Sequence, residues 1–282
     1  MKKFQLSLLS CAILIAALTW TARANLRLHF IAVGHGDAIL IEEDGRGMAL
    51  VDAGLPQAGG IVLDYLRTQS IHRLEHLFVT HTHDDHVGGV PLILDSLEVG
   101  VIHHTGMVDN HERAALFTRY LQRGNWQVDT VNVGDVPVED DRLRLEVLSP
   151  ERSQVAGRRA DPNPNSLVLL LTYGAVKVLL AADIDSEREQ WLIEKYGSKL
   201  KCQVLKAAHH ASDNGNCLKF LQTVQPQVMV VCVGPSQWGY PSPQTMERLR
   251  ANCPEVFRTD EVGTVVLESD GKRVVVVQPE GE

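Results

Sequence analysis

The stretch Leu74-Glu75-His76-Leu77-Phe78-Val79-Thr80-His81-Thr82-His83-Asp84-Asp85-His86-Val87-Gly88-Gly89 decides how this chain is read. Its first half is a short apolar run with β-forming residues, so it predicts a buried strand over Leu74–Thr80. The strand ends on three imidazoles and a carboxylate, His81, His83, Asp85 and His86, within six positions. Packing does not account for such a group, because His and Asp are seldom buried unpaired. Imidazole nitrogen and carboxylate oxygen are instead the usual ligands of a borderline cation such as zinc. His81 and His83 can point to the same side and share one ion. Asp85 and His86, further round the turn, can serve a second. Gly88-Gly89 allow close backbone packing as the chain enters a helix expected over Val87–Leu97.

Two other strand ends carry ligand-type residues. The apolar run Val178–Ala182 stops at Asp183, and Gln203–Ala208 stops at His209-His210. Either alone would pass for a turn or a cap. Together with the His cluster they lie at the C-terminal ends of strands, where open α/β sheets place their sites.

The remaining pattern is α/β throughout. Strands are predicted at Leu26–Val33, Ala38–Glu42, Met48–Asp52, Val99–His103, Leu143–Leu148, Leu167–Tyr173, Gln227–Val233, Thr264–Glu268 and Arg273–Gln278. Helices are predicted at Ile61–Gln69, Glu112–Arg123, Ser186–Tyr196, Cys217–Val224 and Pro243–Ala251. Each half runs strands first, then strands alternating with helices, which suggests two sheets packed face to face with helices outside. The segment Glu151–Pro164, with prolines and no apolar period, reads as a long mobile loop.

Composition narrows the class. The 282 residues are 44% hydrophobic and 22% charged, which is globular, and the net charge of −8 comes without a Lys/Arg block. A tight duplex nucleic-acid footprint is therefore not expected. A small or single-stranded anionic substrate held through bound cations remains compatible. Residues 1–24 read as a signal peptide. Lys2 and Lys3 precede an apolar stretch to about Trp20, and Thr21-Ala22-Arg23-Ala24 offers a small-x-small cleavage site. A retained anchor and a lipid on Cys11 are the alternatives. The expected mature chain, 25–282, is one exported domain with no membrane span. Its cysteines, Cys202, Cys217, Cys232 and Cys253, are too widely spaced for a zinc finger. They are expected to be structural or inert, with one or two disulfides possible in an oxidising compartment.

The motifs resemble the metallo-β-lactamase superfamily. They are Leu50-Val51-Asp52-Ala53-Gly54, the His-x-His-x-Asp-His-x-Gly-Gly run at 81–89, Asp183 and His209-His210. Further stretches are similar to the C-terminal hydrolase domain of ComEC-type DNA-uptake proteins. These are Phe30-Ile31-Ala32-Val33-Gly34-His35-Gly36-Asp37-Ala38, Asn165-Ser166-Leu167-Val168-Leu169, Leu179–Ile184, Leu205–Ser212, and Arg258-Thr259-Asp260 with Gly263. The resemblance spans residues 26–278 and implies a four-layer αββα sandwich.

It also implies roles. His81 and His83 would bind a first metal, and Asp85, His86 and one of His209 or His210 a second. Asp183 would bridge the two, and Asp52 would orient the site from behind. Two zinc ions are implied, with manganese an alternative because the first ion would have fewer imidazoles. The third histidine common on that ion is replaced by a region offering Asn163 and Asn165; His103 and His104 are possible substitutes, though a satisfied strand-end pair is the preferred reading. Water made acidic between the ions would attack, with Asp85 able to accept a proton. Tyr240 stands where the related branch has a histidine (Trp238-Gly239-Tyr240-Pro241 here) and would have to act as donor. Asn165, Ser212, Lys206 and Tyr240 are candidates to contact a phosphate, and His35 could reach the site or cap a turn. The expected reaction is phosphoester hydrolysis; amide or lactone hydrolysis, including β-lactams, and a non-catalytic metal-binding module are the alternatives.

Overall fold

In the computed structural model, residues 26–107, 112–155 and 161–277 are described. The signal peptide expected over 1–24 lies outside them. None of the described helices is long and apolar enough to cross a membrane.

Eight strands form the first sheet. Strands β1 (Leu26–Phe30), β2 (Ile39–Glu43) and β3 (Arg46–Val51) run antiparallel. Strands β4 (Arg73–Val79), β5 (Glu98–His104) and β6 (Gln127–Thr130) continue from β3 in parallel. The last two strands, β14 (Val265–Ser269) and β15 (Val274–Val277), pair outward from β1. Seven strands form the second sheet. Strands β7 (Val138–Glu139), β8 (Leu143–Ser149), β9 (Val168–Tyr173) and β10 (Val176–Leu180) are antiparallel neighbours. Strands β11 (Val204–Lys206), β12 (Val228–Val231) and β13 (Glu255–Arg258) extend from β10 in parallel.

The strand sequences explain the layering. On β9, Leu169 and Leu171 pack between the sheets while Val168 and Leu170 pack under the outer helices; on β10, Val178 and Leu180 face inward and Leu179 outward. Successive side chains alternate across a strand, so a strand covered on both faces must be apolar throughout. Helices α1 (Gly59–Thr68), α2 (Asp84–Val87), α3 (Val90–Ser96) and α4 (Glu112–Arg123) cover the first sheet. Helices α5 (Ser186–Tyr196), α6 (Leu218–Val224) and α7 (Pro243–Asn252) cover the second. The architecture is therefore the four-layer αββα sandwich.

Three strands absent from the sequence reading, β6, β7 and β13, are short and lie at or next to sheet edges. All four residues of β6 are exposed, so no apolar alternation marks it. The helix expected over Val87–Leu97 begins earlier and is broken. Asp84–Val87 forms one turn, and Val90 starts the next helix after Gly88-Gly89. At the break, Gly89 N–H donates to Gly54 O (3.0 Å), and a side chain on Gly89 would overlap the Ala53 carbonyl. The segment expected to be a mobile loop is also corrected in part. Arg152–Val155 and Asn163–Asn165 form helical turns. The largely buried Arg188 ties them down by donating to Gln154 Oε1, Pro164 O and Asn165 Oδ1. Residues 156–160 of that segment lie outside the described residues. The four described cysteines are free thiols, three of them buried.

Candidate metal centre

The strand ends converge between the two sheets' C-terminal edges. On adjacent parallel strands β10 and β11, Leu180 pairs with Lys206. Asp183 and His209 each lie three residues beyond that pair, so the register brings them to the same level. The backbone there is strained: Asp52, Ala182, His209, His210 and Ala211 all have φ between +47° and +60°. Left-handed conformations cost non-glycine residues about 1–2 kcal/mol each. Consecutive left-handed residues at His209 and His210 bring both rings to one carboxylate, with their planes 66° apart.

That carboxylate is Asp183. Four imidazole Nε2 atoms surround its Oδ2: His86 at 3.3 Å, His210 at 3.4 Å, His209 at 3.8 Å and His81 at 3.9 Å. Each of the four rings has its Nδ1 on an oxygen. His86 Nδ1 donates to Asp52 Oδ2 (2.8 Å) and His210 Nδ1 to Cys232 O (2.7 Å). His209 Nδ1 donates to Asn214 Oδ1 (3.0 Å). The Thr80 hydroxyl donates to Asp52 Oδ2 (2.6 Å), leaving its oxygen to accept from His81 Nδ1 (3.0 Å). Oxygen acceptors thus place the Nδ1 protons and leave all four Nε2 atoms directed at the centre.

Around Asp183 the groups divide. Asp85, His86, Asp183 and His210 offer ligand atoms within 4.8 Å of one another. On the other side, His83 Nδ1 lies 3.2 Å from His81 Nε2, and Asn163 Nδ2 lies 3.2 Å from His209 Nε2. Nε2 of His86 and of His210 and Oδ1 of Asp183 are buried and have no hydrogen-bond partner among the described residues. A buried polar atom left unpaired costs about 1–3 kcal/mol, and a cation would satisfy the two imidazole nitrogens. The residues therefore fit a metal. A second group, Asp37, Asp52 and His86, is equally close, but Asp52 and one oxygen of Asp37 are already engaged; Asp37 Oδ1 is buried without a hydrogen-bond partner among the described residues. Asp52 accepts from Thr80 and His86, and Asp37 pairs with Lys206 Nζ at 2.6 Å.

Electrostatics point the same way. Burial alone would lower the pKa of His210, but Asp183 and Asp85 outweigh it and push it up to about 10. His86 is raised well above the usual imidazole range for the same reason. Burial opposes the charge on Asp183, yet the His210 and His86 rings hold its pKa well below the usual carboxylate range. His81, further from this charge, is held low by burial and by His86. The pocket stabilises positive charge, and a bound cation would displace protons from His86 and His210.

A cleft of about 890 Å³ opens over the centre; its walls include His35, His83, Asp85, Asn163, His209, Trp238 and Tyr240. His35 Nε2 is 3.4 Å from Asp85 Oδ2, so His35 reaches the site; burial lowers its pKa to about 4. Tyr240 is tilted against the His35 ring and edge-on to His209, with centroids 5.9 and 5.3 Å away.

Three residues expected at a phosphate are placed elsewhere. Asn165 spends its carboxamide on Arg188 and on Asp161 O. Ser212 donates to Asn214 Oδ1, the atom that also accepts from His209, so it supports the ring from behind. Lys206 is fully buried beneath the centre. His103 and His104 are not brought into the cluster: His103 Nε2 meets His76 Nδ1 at 3.0 Å, and His104 Nδ1 accepts from Gly106 N. Sequence reasoning gave no role to Asp37, Asn214 or the Cys232 carbonyl. Only Asp37 carried a signal, as a charged residue entering an apolar strand behind Gly36.

The chain belongs to the metallo-beta-lactamase superfamily, which its residues 31–234 match. Within that class it is similar to competence proteins. It is 27% identical over 254 residues to ComE operon protein 3 of Bacillus subtilis (83% of this chain, 32% of that protein). It is 29% identical over 236 residues to Competence protein ComA of Neisseria gonorrhoeae (82% and 30%). The chain thus spans about a third of the length of these relatives. Among solved structures, the metallo-beta-lactamase fold protein YhfI of Bacillus subtilis superposes with a TM-score of 0.58 at 10% identity (87% of this chain, all of that one). CmlA, a diiron beta-hydroxylase from Streptomyces venezuelae, superposes at 0.53 and 16% identity (90% and 54%). These two likenesses concern the fold.

Proposed function

We propose that this protein is an exported, metal-dependent phosphoester hydrolase. The observation that carries the reading is the set of four Nε2 atoms around Asp183 Oδ2, with Asp85 completing one side and His83 the other. His81 and His83 would hold one ion, Asp85, His86 and His210 another, and Asp183 both; His209 and Asn163 face the first. Zinc or manganese there would polarise the phosphoryl group and make water acidic enough to attack at neutral pH. Asp85, at the cleft wall, would accept the proton of the attacking water. Tyr240, a phenol on the same cleft, would donate to the departing oxygen. Asp52 and Asn214 keep the rings oriented. The resemblance to ComEC-type DNA-uptake proteins supports a phosphodiester over an amide. The absence of a basic block supports a small or single-stranded substrate over a duplex.

Metal-loaded protein assayed against bis-p-nitrophenyl phosphate, single-stranded DNA, nitrocefin and a lactone tests the reading. Turnover of a phosphodiester, abolished in Asp183→Ala, is expected. Turnover of nitrocefin or the lactone alone would move the assignment to amide or ester hydrolysis. Failure to retain zinc or manganese would remove the hydrolase reading altogether.

A further inference from the structure

Beneath the centre, Lys206 ends strand β11 with its side chain fully buried. Burying an ammonium costs several kcal/mol unless it is paired and hydrogen-bonded. Its Nζ lies 2.6 Å from Asp37 Oδ2, 3.0 Å from Ala182 O and 3.6 Å from Asp183 Oδ1. The three contacts differ in kind. The first neutralises Asp37. The second ties the strained Ala182, whose φ is +47°, immediately before Asp183. The third sets a positive charge against Asp183 Oδ1, whereas the imidazole Nε2 atoms make their closest approach to Oδ2. Asp183 Oδ1 has no hydrogen-bond partner among the described residues, so this charge is what distinguishes it from Oδ2.

We infer that Lys206 is a positioning residue: its ammonium holds Asp183 Oδ1 and the Ala182 carbonyl so that Oδ2 is directed between the two metal positions. Resting on the metal-centre reading above, the inference makes Lys206 a fixed cation on the Oδ1 side of the carboxylate. A carboxylate free to rotate would offer either oxygen to either ion, and the two sites would lose their shared ligand. Asp37 is the anchor that keeps the ammonium in place, since it pairs with Lys206 and its Oδ1 lies 3.6 Å from His210 Nδ1.

The test separates positioning from charge balance. D37N/K206M removes the buried pair as a unit, leaving no unpaired charge. K206Q keeps a donor toward Asp37 without the ammonium. Wild-type protein and both variants are titrated with Mn2+ by calorimetry, with the electron paramagnetic resonance of the loaded protein recorded and folding followed by circular dichroism. Wild type is expected to bind two ions with an exchange-coupled signal; if it binds none, the metal-centre reading itself fails. Each variant is expected to fold, to bind one ion about 10–100-fold more weakly, and to replace the coupled signal with that of isolated ions. A folded variant that binds both ions with wild-type affinity and coupling would reduce Lys206 to the counter-charge of Asp37. Loss of folding in both variants would likewise overturn the assignment.

Discussion

Asp52 Oδ2 lies 2.8 Å from Nδ1 of His86, and this one contact sets which nitrogen of His86 faces Asp183. Asp52 is fully buried and its backbone is left-handed, with φ at +60°. Its other oxygen accepts the Thr80 backbone N–H at 2.8 Å. Asp52→Asn keeps the shape, but its amide nitrogen would meet either the Thr80 N–H or the donors at Oδ2. Metal affinity is expected to fall about 10–100-fold and stability by about 1–3 kcal/mol. Calorimetric metal titration and urea unfolding of the same preparation read the two effects.

His209 and His210, though adjacent, are expected to serve different ions. His210 Nε2 lies 3.3 Å from Asp85 Oδ2, while His209 Nε2 faces Asn163. Combining His210→Ala with Asp85→Ala should therefore be strongly non-additive in metal affinity, because both remove ligands of one ion. His209→Ala with Asp85→Ala should be close to additive. Double-mutant cycles on zinc affinity decide it; equal coupling for both pairs would refute the division.

Asn165 and Tyr240 are expected to separate stability from catalysis. Asn165→Ala leaves the buried guanidinium of Arg188 without one acceptor and should cost about 1–3 kcal/mol with kcat nearly unchanged. Tyr240→Phe removes a donor from the cleft wall and should lower kcat on a phosphodiester by about 100-fold, with little change in melting temperature. Thermal unfolding and steady-state kinetics on both variants provide the check.

Glu189 gives the fold a pH dependence away from the metals. It is fully buried on α5 and accepts the backbone N–H groups of Asn216 and Cys217. Asn216 in turn bonds Ala208 N and O, just before His209. Burial raises the Glu189 pKa from 4.5 to about 7. The folded state therefore holds a proton that the unfolded chain releases between these values. The resulting stability is complete below about pH 4.5 and is lost as pH rises to about 7, at up to about 1.4 kcal/mol per pH unit. Glu189→Gln should flatten the stability curve in that window; an unchanged slope would show that Glu189 does not titrate there.

The sequence by itself determined the superfamily and most of the architecture. His81, His83, Asp85 and His86 are neighbours in the chain, so a cluster of metal-ligand-type side chains is legible from spacing alone. Strands such as Val168–Tyr173 are apolar on both faces, which already implies cover on each side. What the tertiary structure decided is how residues far apart in sequence divide the work. The parallel register of β10 and β11 brings Asp183 and His209 level. Left-handed backbone at His209 and His210 lets the two rings meet one carboxylate while facing different neighbours, Asn163 and Asp85. Acceptors from other elements, Asp52, Asn214 and Cys232 O, choose the nitrogen each ring presents. The structure also turned Asn165, Ser212 and Lys206 from expected substrate contacts into supports. Side-chain direction depends on the partners that folding supplies, and strand-end position in the sequence does not carry that information.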